Sequence, residues 1–366
     1  MYKARSAYGA KTLAGRYYTD EAVYRQEIEC IFRQSWLCVG RSTQLTQAGQ
    51  YFLHESDGES IIVVRARNGS LHAHYNVCRH RGTRLCATES GRFAETIQCP
   101  YHAWTYALDG RLLGAPTMSE VDQFDKQDYP LHSVAVAEWE GFVLLNLALN
   151  PEPFATTFAP IIDRFQRWGL PELQVAHTVE YDVQANWKLI FQNYNECYHC
   201  PTVHPALNQL TPYRNSNNDL EAGAFLGGPM AMSQPNGSMT MSGQVCAAPL
   251  AHLRAADLNL VYYYTIFPSF FLSLHPDYVL VHRLERINPA RTRIVCEWLF
   301  HPNAIAQPGF SALDAVDFWD LTNRQDWQMC ELAQQGVSSR AYTPGPYAEL
   351  ENVPAAFDRE YLRVMG

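Results

Sequence analysis

Two short stretches decide how the first half of this chain is read: Cys78-Arg79-His80 and Cys99-Pro100-Tyr101-His102, with 18 residues between His80 and Cys99. Each supplies one thiolate and one imidazole from a single tight loop. A [2Fe–2S] cluster takes four protein donors, and on one of its irons two imidazoles can replace two thiolates. Cys78 and Cys99 are then expected to hold one iron, and His80 and His102 the other. Structural zinc also accepts two Cys and two His. The common zinc-finger spacing, however, groups the two Cys and then the two His, whereas here they alternate. Zinc stays open as the competing reading of these four residues.

Working outward, residues 36–147 read as a small, mostly antiparallel β domain. Ile61–Val64 is a short apolar run, followed by a turn at Asn68-Gly69 and a strand through Ala73–Val77. Asp109-Gly110 is a further hairpin signal, and Glu140-Gly141 precedes the apolar Phe142–Leu147. Asn150-Pro151-Glu152-Pro153 reads as a linker. Upstream, residues 16–38 carry helical spacing, with Val23, Ile28, Ile31 and Phe32 on one face. Downstream, residues 186–200 are helical in pattern. Residues 278–287 and 293–300 alternate like neighbouring antiparallel strands, joined by a turn at 288–292. Residues 311–336 read as a long amphipathic helix ended by Gly336. Residues 214–250, rich in Gly, Pro, Ser and Asn, are expected to be long loops and a candidate lid. The fold class is α+β. Residues 1–35 form a helical segment packing on the second domain, residues 36–150 the β domain, and residues 151–366 a domain with an antiparallel sheet flanked by helices.

His199 and His204 are five apart, with Pro201 breaking a helix between them. Two such His near a helix end can face one metal, and non-haem Fe(II) oxygenases bind iron with two His and one carboxylate, leaving positions open. A pair of surface histidines is the bland alternative. The carboxylate has to come from far away, and the long helix offers Asp314, Asp317, Asp320 and Asp326.

The surrounding residues, Asn76-Val77-Cys78-Arg79-His80-Arg81-Gly82 and Gln98-Cys99-Pro100-Tyr101-His102-Ala103-Trp104, resemble the Rieske non-haem iron oxygenases. The resemblance extends over Leu13–Leu147. It continues through Gln192-Asn193-Tyr194-Asn195-Glu196-Cys197-Tyr198-His199-Cys200-Pro201-Thr202-Val203-His204-Pro205, which matches that family's Glu-x-x-His-x-x-x-x-His pattern. It implies an N-terminal Rieske domain, a catalytic domain with mononuclear Fe(II) on His199 and His204, and a bridging acid at Glu196. The ligand Asp of the family precedes a Gln-Gly-x-x-Ser segment, here Gln335–Ser339, which selects Asp326, with Asp320 the other choice. Thr83, Tyr101 and Trp104 stand where respiratory-complex Rieske proteins carry two extra Cys and a Ser. Fewer hydrogen bonds to the sulfurs imply a lower potential, toward the roughly −150 mV end of the Rieske range. Electrons are expected to come from a separate NAD(P)H-dependent reductase carrying flavin and iron–sulfur groups, since no Gly-x-Gly-x-x-Gly fingerprint occurs. Their implied route is His102, Glu196 and His199, between subunits of a homotrimer.

For the substrate, Glu196 stands where relatives acting on aromatic compounds mostly have Asp. The segments around Glu196 and from Arg340 to Tyr347 resemble the glycine betaine, stachydrine, carnitine and choline monooxygenases. Tyr262–Phe271 is dense in aromatic rings, which attract a quaternary ammonium, although most such rings serve as ordinary core. The expected activity is O2-dependent hydroxylation and N-demethylation of a betaine-type compound. The alternative is hydroxylation of an aromatic compound or aryl acid. A simple ferredoxin would need only the first 150 residues.

The 366 residues are 47% hydrophobic and 18% charged, a core-forming composition. A net charge of −9, without any basic run, argues against a nucleic-acid partner. No stretch approaches the roughly 18 apolar residues of a membrane span, and Met1–Ala10 lacks an apolar signal-peptide core. A cytoplasmic location is the expectation.

Overall fold

The computed structural model describes residues 9–366. The expectation about a signal peptide rests mostly on residues 1–8 and lies outside the described residues. Among the described residues, no helix is long and apolar enough to cross a membrane. Phe32–Thr157 form one compact unit, and residues 9–31 with Phe158–Gly366 form another. The whole is α+β.

The first unit is built on an antiparallel seven-stranded sheet. Across it run Leu37–Arg41, Phe142–Asn146, Ser133–Trp139, Leu71–Tyr75, Glu59–Arg65, Gln50–Ser56 and Ser90–Arg92. Ile61–Val64 are all fully buried, so both faces of that strand are covered. A second, three-stranded sheet consists of Thr96–Gln98, Thr105–Ala107 and Leu112–Gly114, with Asp109-Gly110 at its last turn. One core cluster joins Ile62 and Val64 of the large sheet to Ile97 and Tyr106 of the small one, and takes in Cys78, Cys99 and Trp104.

The second unit holds another antiparallel seven-stranded sheet. Its order is Gln174–Val183, Arg291–Phe300, Val279–Asn288, Phe270–Leu274, Leu260–Ile266, Phe225–Ala231 and Leu220–Ala222. The last two strands correct the loop reading of 214–250: Phe225–Ala231 is mostly buried despite Gly227, Gly228 and Pro229. At Gly227 a Cβ would lie 2.0 Å from the Tyr263 carbonyl oxygen, so glycine is required by the close approach of the neighbouring strand.

Three helical expectations shift. Residues 16–38 break at Asp20, whose side chain caps a new helix at Ala22 N–H, and a strand already begins at Leu37. The helix expected over 186–200 stops at Tyr194 and resumes as two short Pro-started turns, Cys200–Val203 and Pro205–Leu210. The long helix runs Leu313–Val337 and passes through Gly336, because Ser338 closes it by bonding back to Gln334 O through both N–H and Oγ.

The helix Trp187–Tyr194 is anchored by a buried charge. Glu27 accepts from Lys188 Nζ at 2.5 Å, Trp187 Nε1 at 2.9 Å and Tyr361 Oη at 2.7 Å. Lys188 and Glu27 are both fully buried, and burial lowers the Lys188 ammonium to about 8 against the pull of Glu27. Glu27→Ala leaves that ammonium without its counter-charge, so a loss of about 3–5 kcal/mol is expected in denaturant unfolding. A loss under about 1 kcal/mol would show that the pair contributes little.

Candidate metal centres and cavity

In the first unit, the two cysteine loops have one geometry. Cys78 N–H donates to Thr83 O at 2.8 Å and Gly82 N–H to Cys78 O at 3.0 Å. Likewise, Cys99 N–H donates to Trp104 O at 2.8 Å and Ala103 N–H to Cys99 O at 3.1 Å. Each loop turns on a left-handed residue four places after its cysteine, Gly82 at φ 72° and Ala103 at φ 56°. Both thiols are buried, and the two histidine rings meet edge-on at 4.7 Å. His80 stacks on Trp104, and its buried Nδ1 has no hydrogen-bond partner. That orphaned atom, with two free thiols, suits a soft metal group.

Donors for one zinc would lie within about 4 Å of one another. Among the described residues, only His199, His204 and Asp326 gather three such atoms within 4.8 Å. The two matched loops, each bringing one buried Cys and one His with the two His rings edge-on, fit a two-iron cluster. One residue escaped the sequence reading: the Tyr106 hydroxyl lies 3.4 Å from Cys78 Sγ and accepts from Arg79 N–H at 3.1 Å.

In the second unit, the Nε2 atoms of His199 and His204 lie 3.2 and 2.7 Å from Asp326 Oδ1. The opposite ring nitrogens are both held: His199 Nδ1 by Glu196, and His204 Nδ1 by Gln325 Oε1 at 2.8 Å. Metal-binding imidazoles are oriented by just such acceptors. Gln325 was not picked out from sequence. Burial would raise the Asp326 carboxyl, but hydrogen bonds from His199 and His204 hold it down at about 2. Burial likewise opposes charge on His199, while bonds to Asp326 and Glu196 lift it to about 10. The set fits a divalent cation: two imidazoles and a carboxylate on one side.

The other acids of the long helix are used elsewhere. Asp320 accepts from Tyr181 Oη at 2.8 Å and pairs with Arg324 at 2.7 Å. Asp314 accepts from Ser242, and Asp317 is exposed. Asp320 and Asp326 are six positions apart, which turns them to different sides of the helix.

These three donors line a cavity of ≈ 290 Å³. Tyr194, Tyr263 and Trp319 contribute rings to it. Tyr263 meets Tyr194 at 6.2 Å and 85°, and Trp319 at 6.1 Å and 74°. Of the aromatic run, Tyr262 and Tyr264 turn instead to Trp168 and Phe165. Cys197 and Cys200, on either side of Tyr198 and His199, form a disulfide, and eight other cysteines are free.

Two family models match the chain: the Rieske [2Fe-2S] domain over residues 35–125, and the ring hydroxylating alpha subunit (catalytic domain) over residues 170–366. A glycine betaine monooxygenase oxygenase subunit of Chromohalobacter salexigens is 32% identical, over 94% of this chain and 83% of the relative. A carnitine monooxygenase oxygenase subunit of Escherichia coli is 38% identical over about half of each chain, 54% in both cases. A crystal structure of a quaternary ammonium Rieske monooxygenase superposes with a TM-score of 0.81 at 25% identity, covering 98% of this chain and 96% of that one. The paired cysteine–histidine loops and the two-histidine, one-carboxylate group thus lie within matched domains, and the chain belongs to the ring-hydroxylating alpha subunits, the Rieske non-haem iron oxygenases.

Proposed function

We propose that this chain is the oxygenase component of a two-part system that hydroxylates, and so N-demethylates, a quaternary ammonium compound. The observation that carries this reading is the cavity itself: three aromatic rings meeting near right angles beside His199, His204 and Asp326. Ring faces hold an ammonium that has no hydrogen-bond donors. The matched relatives named for glycine betaine and carnitine support the same class.

Cys78, Cys99, His80 and His102 are proposed to hold the cluster, and His199, His204 and Asp326 the iron. When bound, the two supply electrons and oxygen activation. The chain's own residues do the rest. Glu196 and Gln325 fix the ring orientations of His199 and His204, and the ring walls keep water from the N-methyl group. Hydroxylation of that group leaves a hemiaminal, which loses formaldehyde. Glu196 also borders a second cavity with Val203, Met329, Tyr347 and Glu351. Such an opening behind His199 supports a bridging role toward a cluster histidine of a neighbouring subunit in a homotrimer. A separate NAD(P)H-dependent flavin and iron–sulfur reductase and a cytoplasmic setting complete the proposal.

The test supplies reduced holoenzyme with choline, glycine betaine, carnitine and benzoate under O2. Formaldehyde matching O2 uptake is expected with an N-methylated ammonium. Oxygen uptake coupled only to benzoate hydroxylation would overturn the reading.

A further inference from the structure

The charges around the cavity narrow the substrate further, and this step rests on the quaternary ammonium reading above. Four carboxylates line the cavity, those of Glu196, Glu221, Asp326 and Glu349. Among the described residues that line it there is no Lys or Arg. Two arginines have other partners. Arg164 is paired with Asp219 at 2.8 Å, and exposed Arg214 reaches only the Tyr213 hydroxyl. A divalent ion on Asp326 would leave one positive charge against Glu196, half-buried Glu221 and exposed Glu349, which gives the lining a negative bias centred on Glu221.

Two of its amides are partly committed, and the buried, unpartnered Tyr263 hydroxyl is a free group that can donate or accept. Asn352 Nδ2 is already given to Glu221 Oε1 at 3.0 Å, and Asn195 Nδ2 to Phe191 O at 2.8 Å. Asn193 Oδ1 is a buried acceptor without a partner. Glu221 itself is half-buried on the edge strand Leu220–Ala222, held by Asn352 and matched by no cation among the described residues. A substrate carboxylate entering here would shed its water and meet like charges with no Lys or Arg among the lining residues, a cost that one Tyr263 hydroxyl only partly offsets. A hydroxyl or amine would meet a waiting acceptor.

We infer that the substrate is a net cation: an N-methylated ammonium whose other end is a hydrogen-bond donor, hydroxyl or amino, received by Glu221, and which carries no acid group. This sets the chain apart from relatives named for the zwitterions glycine betaine and carnitine.

Anaerobic calorimetric titration of the holoenzyme tests it, with choline, glycine betaine, 3,3-dimethylbutanol and benzoate as probes. Choline is expected to bind at least about tenfold tighter than glycine betaine and than the uncharged alcohol. Glu221→Gln, checked for unchanged thermal unfolding, is expected to weaken choline by about tenfold or more and to leave or improve glycine betaine. Glu221→Asp should restore part of the choline affinity. Glycine betaine binding as tightly as choline overturns the inference and leaves the ammonium reading intact. Equal choline affinity in wild type and Glu221→Gln removes Glu221 as the receiving group and overturns the assignment. Binding of benzoate with neither ammonium ion overturns both this inference and the reading beneath it. The comparison among probes uses the unaltered protein, so it stands even where the variant fails to fold.

Discussion

Asp326→Ala is expected to drop the iron content from about three to about two atoms per chain while leaving the cluster's visible absorbance intact, and to abolish turnover. The reasoning is local. Among the described residues, Asp326 contributes the one carboxylate oxygen within reach of both His199 Nε2 and His204 Nε2. Two imidazoles alone form a weak, neutral site, and ligand loss removes both a bond and the charge that offsets a divalent ion. The proposed cluster donors belong to the other unit. Asp320→Ala is the control. It breaks the contacts to Tyr181 and Arg324, so it should lower stability and keep the third iron. Iron quantification beside the absorbance spectrum decides the matter, and a variant that loses its iron at Asp320 but not Asp326 would refute the assignment.

Glu196→Gln is expected to keep both centres occupied and yet slow oxidation of the pre-reduced cluster by O2 and substrate by about 10–100-fold, following the scale of losses when an acceptor behind a metal-bound histidine is removed. The amide retains volume and one acceptor oxygen but loses the charge that polarises the His199 ring. Glu196 has a further task that the sequence did not reveal: its carboxylate also accepts from the backbone N–H groups of Tyr198 and His199. It therefore shapes the turn on which His199 sits. Glu196→Asp keeps the charge and should keep part of the rate. Rapid cluster oxidation with full product yield in Glu196→Gln would remove the bridging role. Loss of iron in that variant would assign Glu196 to support of the His199 turn instead.

How far these features could be read beforehand depended on how local they are. The Cys78 and Cys99 loops are each complete within a few residues, so their donors and spacing are visible in the chain. His199 and His204 also sit close together, although the chain between them does not continue the preceding helix. Asp326 was separable from Asp320 only through resemblance, because helical periodicity says which side a residue faces and not what waits there. Gln325 and Tyr106 act through a neighbour's ring nitrogen or sulfur, and such contacts leave no spacing signature. Glu221 was hidden for another reason. It lies in a stretch whose Gly, Pro and Asn content suggested loop, and sheet pairing overrode that local preference through Leu220–Gly227 and its neighbours. In the aromatic run, strand alternation puts Tyr263 on the opposite side from Tyr262 and Tyr264, which left two of three rings to the core.

The interleaving of the two units has a consequence for biosynthesis. Phe32–Thr157 is a continuous stretch, whereas the other unit is split, with residues 9–31 ahead of it and Phe158–Gly366 behind. On the ribosome, the cysteine loops and their sheet are complete long before the long helix exists. At ordinary rates of elongation, roughly 10–40 s pass between emergence of Thr157 and of Val337. Throughout that interval Glu27 waits for Lys188 and then for Tyr361. All four proposed cluster donors are therefore made well before the iron set is complete, since Asp326 is the last of its three proposed donors to be synthesised.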